Sequence, residues 1–215
     1  MKRQSNKYST DGLVEAEFEP CSHREVLKNI LGIKSKRAID QKEAEALLKA
    51  ERWNINYFTK THRFTEKDIR KIHQVFLGKI YPWAGNYRNV NLTKGVFPFA
   101  AAKEIPRLMT EFSDTLLSKY TPCLFKDKEK VVEAVGIVHA ELLLIHPFRD
   151  GNGRLARLLA NLMMLQADFP SPDFSFIKGK VKQEYYRAIQ EGLKRNYEPI
   201  KTIMREALER SLAGA

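Results

Sequence analysis

Residues 128–157 read KEKVVEAVGIVHAELLLIHPFRDGNGRLAR, and this stretch decides the fold. From Lys128 to Ile145 the apolar residues follow helical spacing, and the last part, AELLLI, is apolar on every face. A helix without a polar face has to lie at the centre of a core. Pro147 cannot continue that helix, so His146 marks its end. Gly151-Asn152-Gly153 then turns the chain into a second apolar helix, 154–166, RLARLLANLMMLQ. Two successive core helices joined by a short polar loop imply an all-α domain.

Reading outward, the pattern is helical on both sides. Helices are expected at 25–32 (EVLKNILG, with Gly32 as the stop) and at 39–51, where Asp40 is a reasonable N-cap. A third begins at Thr65, where Thr65 and Asp68 form a capping box with Asp in place of Glu, and it closes before Pro82. Further helices are expected at 102–119, 180–195 and 197–211, with FPSPDF at 169–174 as a loop. The β signal is confined to 89–99, NVNLTKGVFPF: Val90 and Leu92 alternate with polar residues, Thr93-Lys94-Gly95 supplies the turn, and Val96, Phe97 and Phe99 follow. This gives residues 1–25 as a tail and 26–211 as a single all-α domain with one short β-hairpin over 90–99.

Composition agrees with a globular chain. The 215 residues are 43% hydrophobic and 29% charged, enough for one core. No run of 18 apolar residues suits a membrane span, and no apolar stretch follows the charged start as a secretory leader would require. Cys21 and Cys123 are too few for a disulfide framework or a cysteine metal site, and free thiols fit a reducing compartment, so a cytoplasmic location is expected. The net charge of +11 raises the question of nucleic acid, but Lys and Arg are spread along the chain and no zinc-finger spacing or helix-turn-helix pattern accompanies them. A solvated basic surface is the reading, and nucleic acid is not expected as a partner.

The chemistry is concentrated in 146–157. Glycines at 151 and 153 let backbone N–H groups converge, and the helix that follows adds its unpaired N–H groups and positive dipole end, which together make a phosphate site. Arg154 and Arg157 are three apart on one helix face and can reach the same anion. Asp150 beside bound phosphates is suited to Mg²⁺, and His146 can take a proton at neutral pH. A base, a metal carboxylate, a phosphate nest and two guanidinium groups fit phosphoryl-type transfer. A Walker loop is excluded, since no Gly-Lys-Ser/Thr follows and the preceding element is a helix. His139 lies seven before His146 with Glu141 near, but no His-Glu-x-x-His spacing occurs, so zinc is not expected. His23, His62 and His73 read as structural or exposed, Phe148 as a core anchor, and Trp53 and Trp83 as core or hairpin support.

HPFRDGNGRLAR resembles the Fic family signature His-Pro-Phe-x-Asp/Glu-Gly-Asn-Gly-Arg-x-x-Arg at every specified position. FLGKIYPWAGNYR at 76–88, VLKNILGI at 26–33 and QEYYRAI at 183–189 resemble other family segments. The resemblance implies a Fic-type helical bundle that transfers AMP from ATP, with Mg²⁺, to a Ser, Thr or Tyr hydroxyl of a target protein. It gives His146 the role of base, Asp150 that of Mg²⁺ ligand, and Gly151, Asn152, Gly153, Arg154 and Arg157 that of holding the phosphates. Gly153 stands where Doc kinases carry Lys, which favours nucleotidyl transfer over kinase activity. The hairpin resembles the flap along which a target protein binds. Thr202-x-x-x-Glu206 matches five positions of a family inhibitory motif that Ala207 breaks at the sixth, so inhibition is expected from a separate small antitoxin-like protein, if at all, in a toxin- or effector-like bacterial setting that includes delivery into another cell. Alternatives are a Fic-fold transferase with another nucleotide or diphosphate donor, and a non-catalytic module that binds nucleic acid or protein.

Overall fold

The central helix of this computed structural model, which describes residues 13–214, is α5 (Lys128–Ile145). Thirteen of its 18 residues are buried, so neighbours must cover it on all sides. They do: α3 (Ile105–Phe112), α6 (Asn152–Gln166), α7 (Gly179–Glu191) and α8 (Glu198–Ala213) all pack against it. α1 (Lys36–Tyr57) and α2 (Glu66–Leu77) form an outer pair that packs on α6, and α2 also meets α3. α3 continues through a π-helical turn, Ser113–Leu117, into the single turn α4 (Ser118–Tyr120). Strands β1 (Thr93–Lys94) and β2 (Phe97–Pro98) make an antiparallel hairpin, with Thr93 opposite Pro98 and Lys94 opposite Phe97. The architecture is all-α with one short hairpin, as the patterning implies. No helix among the described residues is long and apolar enough to cross a membrane.

Several boundaries follow the expected signals. Thr65 and Asp68 form the capping box, each side chain bonding to the other's backbone N–H. α5 begins and ends where the apolar period does, at 128 and 145.

Three expectations are corrected. Residues 25–32 are not helical: Leu27 pairs with Phe18 in an isolated antiparallel bridge, and the Asn29 amide bonds to the Leu27 and Ile33 carbonyls. Those side-chain bonds offer the backbone an alternative to helix, and only Val26 and Leu27 of the four apolar residues are buried, while Ile30 and Leu31 face solvent. The first long helix starts earlier, with Ser35 rather than Asp40 as N-cap, and runs on to Tyr57, where Tyr57 stacks on Trp53 at 4.2 Å. In the hairpin, Thr93 and Lys94 belong to the strand; the turn is Gly95-Val96, with Gly95 at φ +60 and Val96 fully exposed. Of the sequence expected as a tail, residues 1–12 lie outside the described residues. Residues 13–17 pack against the domain, with Glu15 accepting from the Asn89 N–H at 2.6 Å.

Candidate active site

α5 stops at His146, which adopts a left-handed conformation (φ 52, ψ 60), and the chain crosses to α6 through Pro147–Gly151. This crossing is built from its own side chains. Asn152 is buried and folds back, accepting from the Phe148 N–H at 2.9 Å and donating to the Phe148 carbonyl at 2.8 Å. Phe148 is fully buried and stacks on His73 of α2 at 3.8 Å, the core anchor expected of it. Gly151 caps α6 at φ +81, and a Cβ there would lie 2.9 Å from Leu77 Cδ1, so only glycine fits. Gly153 has no atom within 4 Å of a would-be Cβ, so the first turn of α6 opens directly onto a cavity.

That cavity, of about 550 Å³, is lined by all seven residues singled out in 146–157: His146, Asp150, Gly151, Asn152, Gly153, Arg154 and Arg157. The hairpin closes one side with Lys94, Phe97 and Phe99, and α7 closes another with Tyr185 and Tyr186. Lys94 reaches across to the Tyr186 ring at 3.6 Å. The two arginines are held differently. Arg154 forms an ion pair with the buried Glu43 of α1, whose other oxygen accepts from Tyr81, and also lies 3.7 Å from Asp150. Arg157 lies over the Phe174 ring at 5.2 Å, with its Nε buried and unpartnered. The Asn152 side chain is committed to Phe148, so what this residue offers a ligand is its backbone N–H, one of those the α6 start leaves without an intrahelical acceptor.

His146 stacks on Phe99 at 3.7 Å, and its Nδ1 bonds to the Leu143 carbonyl at 3.2 Å. A carbonyl only accepts, so Nδ1 carries the hydrogen and Nε2 keeps a free lone pair. Burial holds the imidazole below its ordinary range, to about 4; Arg88 and Lys94 add to this, while the Leu143 bond and Asp150 oppose it. The ring is therefore neutral near pH 7 and able to accept a proton.

One support of the site, Arg88, went unrecognised in the sequence, and a second, His73, is structural, one of the two readings given to it. Arg88 is 1% exposed and lies in no helix or strand. It donates to the carbonyls of His146 (2.7 Å), Val90 (2.6 Å), Ala100 (2.6 Å) and Ile145 (3.4 Å). One guanidinium thus ties both feet of the hairpin to the negative end of α5. His73 accepts from the Gly85 N–H at 2.8 Å, so its Nε2 carries the hydrogen and donates to the Asp150 carbonyl at 3.0 Å. The inhibitory-motif candidate Glu206 pairs instead with Arg210, 2.9 Å away on the same helix.

Residues 63–164 match the Fic/DOC family. Over that segment the chain is similar to the Fic/DOC family. The matched segment contains the 146–157 loop and the 93–98 hairpin described above. The protein adenylyltransferase Fic of Nematostella vectensis is 28% identical over 191 residues, covering 88% of this chain and 43% of the relative. Protein adenylyltransferase fic-1 of Caenorhabditis briggsae is 32% identical over 129 residues, 60% of this chain and 24% of the relative. The chain thus spans less than half the length of these curated Fic relatives. Among solved structures, the N-terminal Fic domain of a Bartonella effector protein from Bartonella sp. AR 15-3 has a TM-score of 0.72 at 19% identity, over 96% of each chain. The N-terminal Fic domain of a Bartonella quintana protein with bound ADP has a TM-score of 0.68 at 25% identity, over 88% of this chain and 92% of that one.

Two buried histidines give the fold an acid limit. His73 and His139 are 0% and 1% exposed, and burial pushes them down to about 4 and about 3. In the unfolded chain both titrate near ~6.5, so between these values only the unfolded chain binds their protons. Stability is therefore present above about 6.5 and falls as pH drops through that value, by up to ~1.4 kcal/mol per pH unit for each histidine. Urea unfolding at stepped pH between about 7.5 and 5 measures this, and a flat profile would refute it.

Proposed function

We propose that this chain transfers AMP from ATP to a hydroxyl side chain of a target protein. The observation that carries the reading is the shared cavity: the free Nε2 side of a neutral His146 belongs to the same space as the open N-terminus of α6 and Arg157. His146 Nε2 takes the hydroxyl proton as the oxygen attacks the α-phosphorus. The new O–P bond forms as the bond from the α-phosphorus to the bridging oxygen breaks, and pyrophosphate leaves. The α6 N–H groups and Arg157 face the charge that builds on the departing phosphates. The relatives that carry the name adenylyltransferase and the ADP-bound Fic domain support ATP as donor.

The donor set also fits Mg²⁺. Asp150 presents a half-exposed carboxylate to the cavity, and no group of three His, Cys, Asp or Glu side chains among the described residues forms a cage. One carboxylate completed by substrate phosphates and water is a usual Mg²⁺ arrangement. When bound, the ion would neutralise phosphate charge and orient the α-phosphate. The two-stranded sheet has no third strand among the described residues, so its edges are open to strand addition by a target segment. With Glu206 occupied by Arg210, inhibition would come from another protein, consistent with a toxin- or effector-like role.

ATP labelled at the α- or γ-phosphate, incubated with the chain, Mg²⁺ and lysate, tests this. Label is expected on protein only from the α position. Label only from the γ position would make the chain a kinase, and label from neither would overturn ATP as donor.

A further inference from the structure

His139 lies behind the cavity wall, Tyr185 forms part of that wall, and neither takes part in the transfer described above. His139 is on α5, 1% exposed; Tyr185 is on α7, 5% exposed, and lines the cavity. The His139 Nδ1 bonds to the Ala156 carbonyl at 3.2 Å, and its Nε2 lies 2.6 Å from the Tyr185 hydroxyl. The proton directions are fixed. Ala156 O only accepts, so Nδ1 carries the hydrogen, Nε2 accepts, and Tyr185 must donate its single hydrogen to His139. The Tyr185 oxygen is then left with lone pairs alone. The Arg157 guanidinium, which has donors alone, lines the same cavity and is the cation that acts on the Tyr185 hydroxyl.

A second wall restrains the same arginine. Phe174 contacts both His139, nearly parallel at 16° with centroids 5.9 Å apart, and Arg157, 5.2 Å from its ring centroid. Arg157 thus rests on Phe174 of the 169–174 loop, which stacks on His139 of α5, and shares the cavity with Tyr185 of α7. Every one of these partners is neutral. Burial keeps His139 uncharged, well below its ordinary range at about 3. Arg154 is the contrast, because Glu43 already neutralises it. Arg157 therefore keeps its full charge, and its buried Nε–H has no acceptor in the protein.

We propose that Tyr185, oriented by His139, is a positioning residue that aims Arg157 at the β- and γ-phosphates of the donor. The proposal rests on the nucleotide-transfer reading and names the device that gives the site its grip on the phosphate tail. AMP, which lacks that tail, gains nothing from it.

The test uses the full chain with ATP, AMP and inorganic pyrophosphate as probes, each titrated calorimetrically with Mg²⁺ present, together with the side-chain Nε–H resonance of Arg157. Tyr185→Phe keeps the ring and removes the oxygen. It is expected to weaken ATP and pyrophosphate about tenfold, the worth of one charge-assisted hydrogen bond, and to leave AMP within about twofold. It should also hasten exchange of the Arg157 Nε–H, and it should have no further effect in an Arg157→Lys background. His139→Gln, which returns an acceptor to the Nε2 position, is expected to retain the tight pyrophosphate binding that His139→Leu loses. Equal weakening of AMP and ATP would mean a general loss of pocket structure and overturn the proposal. So would additivity of Tyr185→Phe with Arg157→Lys, or a wild-type chain that fails to bind pyrophosphate. Failure of the nucleotide reading has a separate signature: pyrophosphate binds with the Arg157–Tyr185 coupling intact, while ATP gains nothing over pyrophosphate.

Discussion

Replacing His146 by Asn is expected to lower the proposed AMP transfer about 10²- to 10⁴-fold, the range for loss of a general base, while the fold and ATP affinity persist. Asn is the informative substitute because position 146 is left-handed, at φ 52. Asn tolerates that conformation, whereas Ala there adds a backbone cost of about 1 kcal/mol that would blur the result. The ring's contacts to Phe99 and to the Leu143 carbonyl are lost in either variant, but both are local and partly exposed to the cavity. The measurement is the initial rate of label transfer from α-labelled ATP, beside a calorimetric ATP titration of the same protein. A His146→Asn chain that keeps more than about a tenth of the rate would remove the base assignment.

Arg88→Met is expected to have the largest effect on stability. Methionine restores much of the volume and none of the donors, so four carbonyls at the His146, Val90, Ala100 and Ile145 positions lose their partner at once. Each buried acceptor left bare costs about 1–3 kcal/mol, and with partial entry of water a total near ~3–5 kcal/mol follows. For a chain of this size that lowers the melting temperature by roughly 6–20 °C. Arg88→Lys should recover only part, because an ammonium cannot fork across carbonyls that diverge. Thermal unfolding of the three proteins decides it, and an Arg88→Met chain that melts with the wild type would show that the guanidinium is not a keystone.

Much of this fold could be read locally. The α5 period, the Thr65–Asp68 capping box and the turn into α6 depend on residues within a few positions of one another, and the chain's own order displays such relations. The residues that hold the site together depend on distant partners. Glu43 meets Arg154 across 111 positions, and Arg88 meets His146 across 58. No spacing rule marks either pair. Residues 25–32 failed for the opposite reason: their period suits a helix, but a bridge to Phe18 and the Asn29 amide outcompete it. Asn152 has the right type for an anion site, yet its amide closes the loop on Phe148. The sequence identified the loop's membership without revealing which members face inward.

The hairpin is fastened at its feet, by Arg88 on Val90 and Ala100, and is bare at its tip, where Val96 is fully exposed and nothing approaches Gly95. Mutational drift at the tip therefore leaves the motif loop undisturbed. If a target segment pairs with the hairpin as proposed, a lineage carrying this architecture can exchange one client for another by rewriting the codons of Gly95 and Val96, while Lys94, Phe97 and Phe99 keep lining the cavity. For protein engineers the same separation makes the segment a natural place for a randomised library.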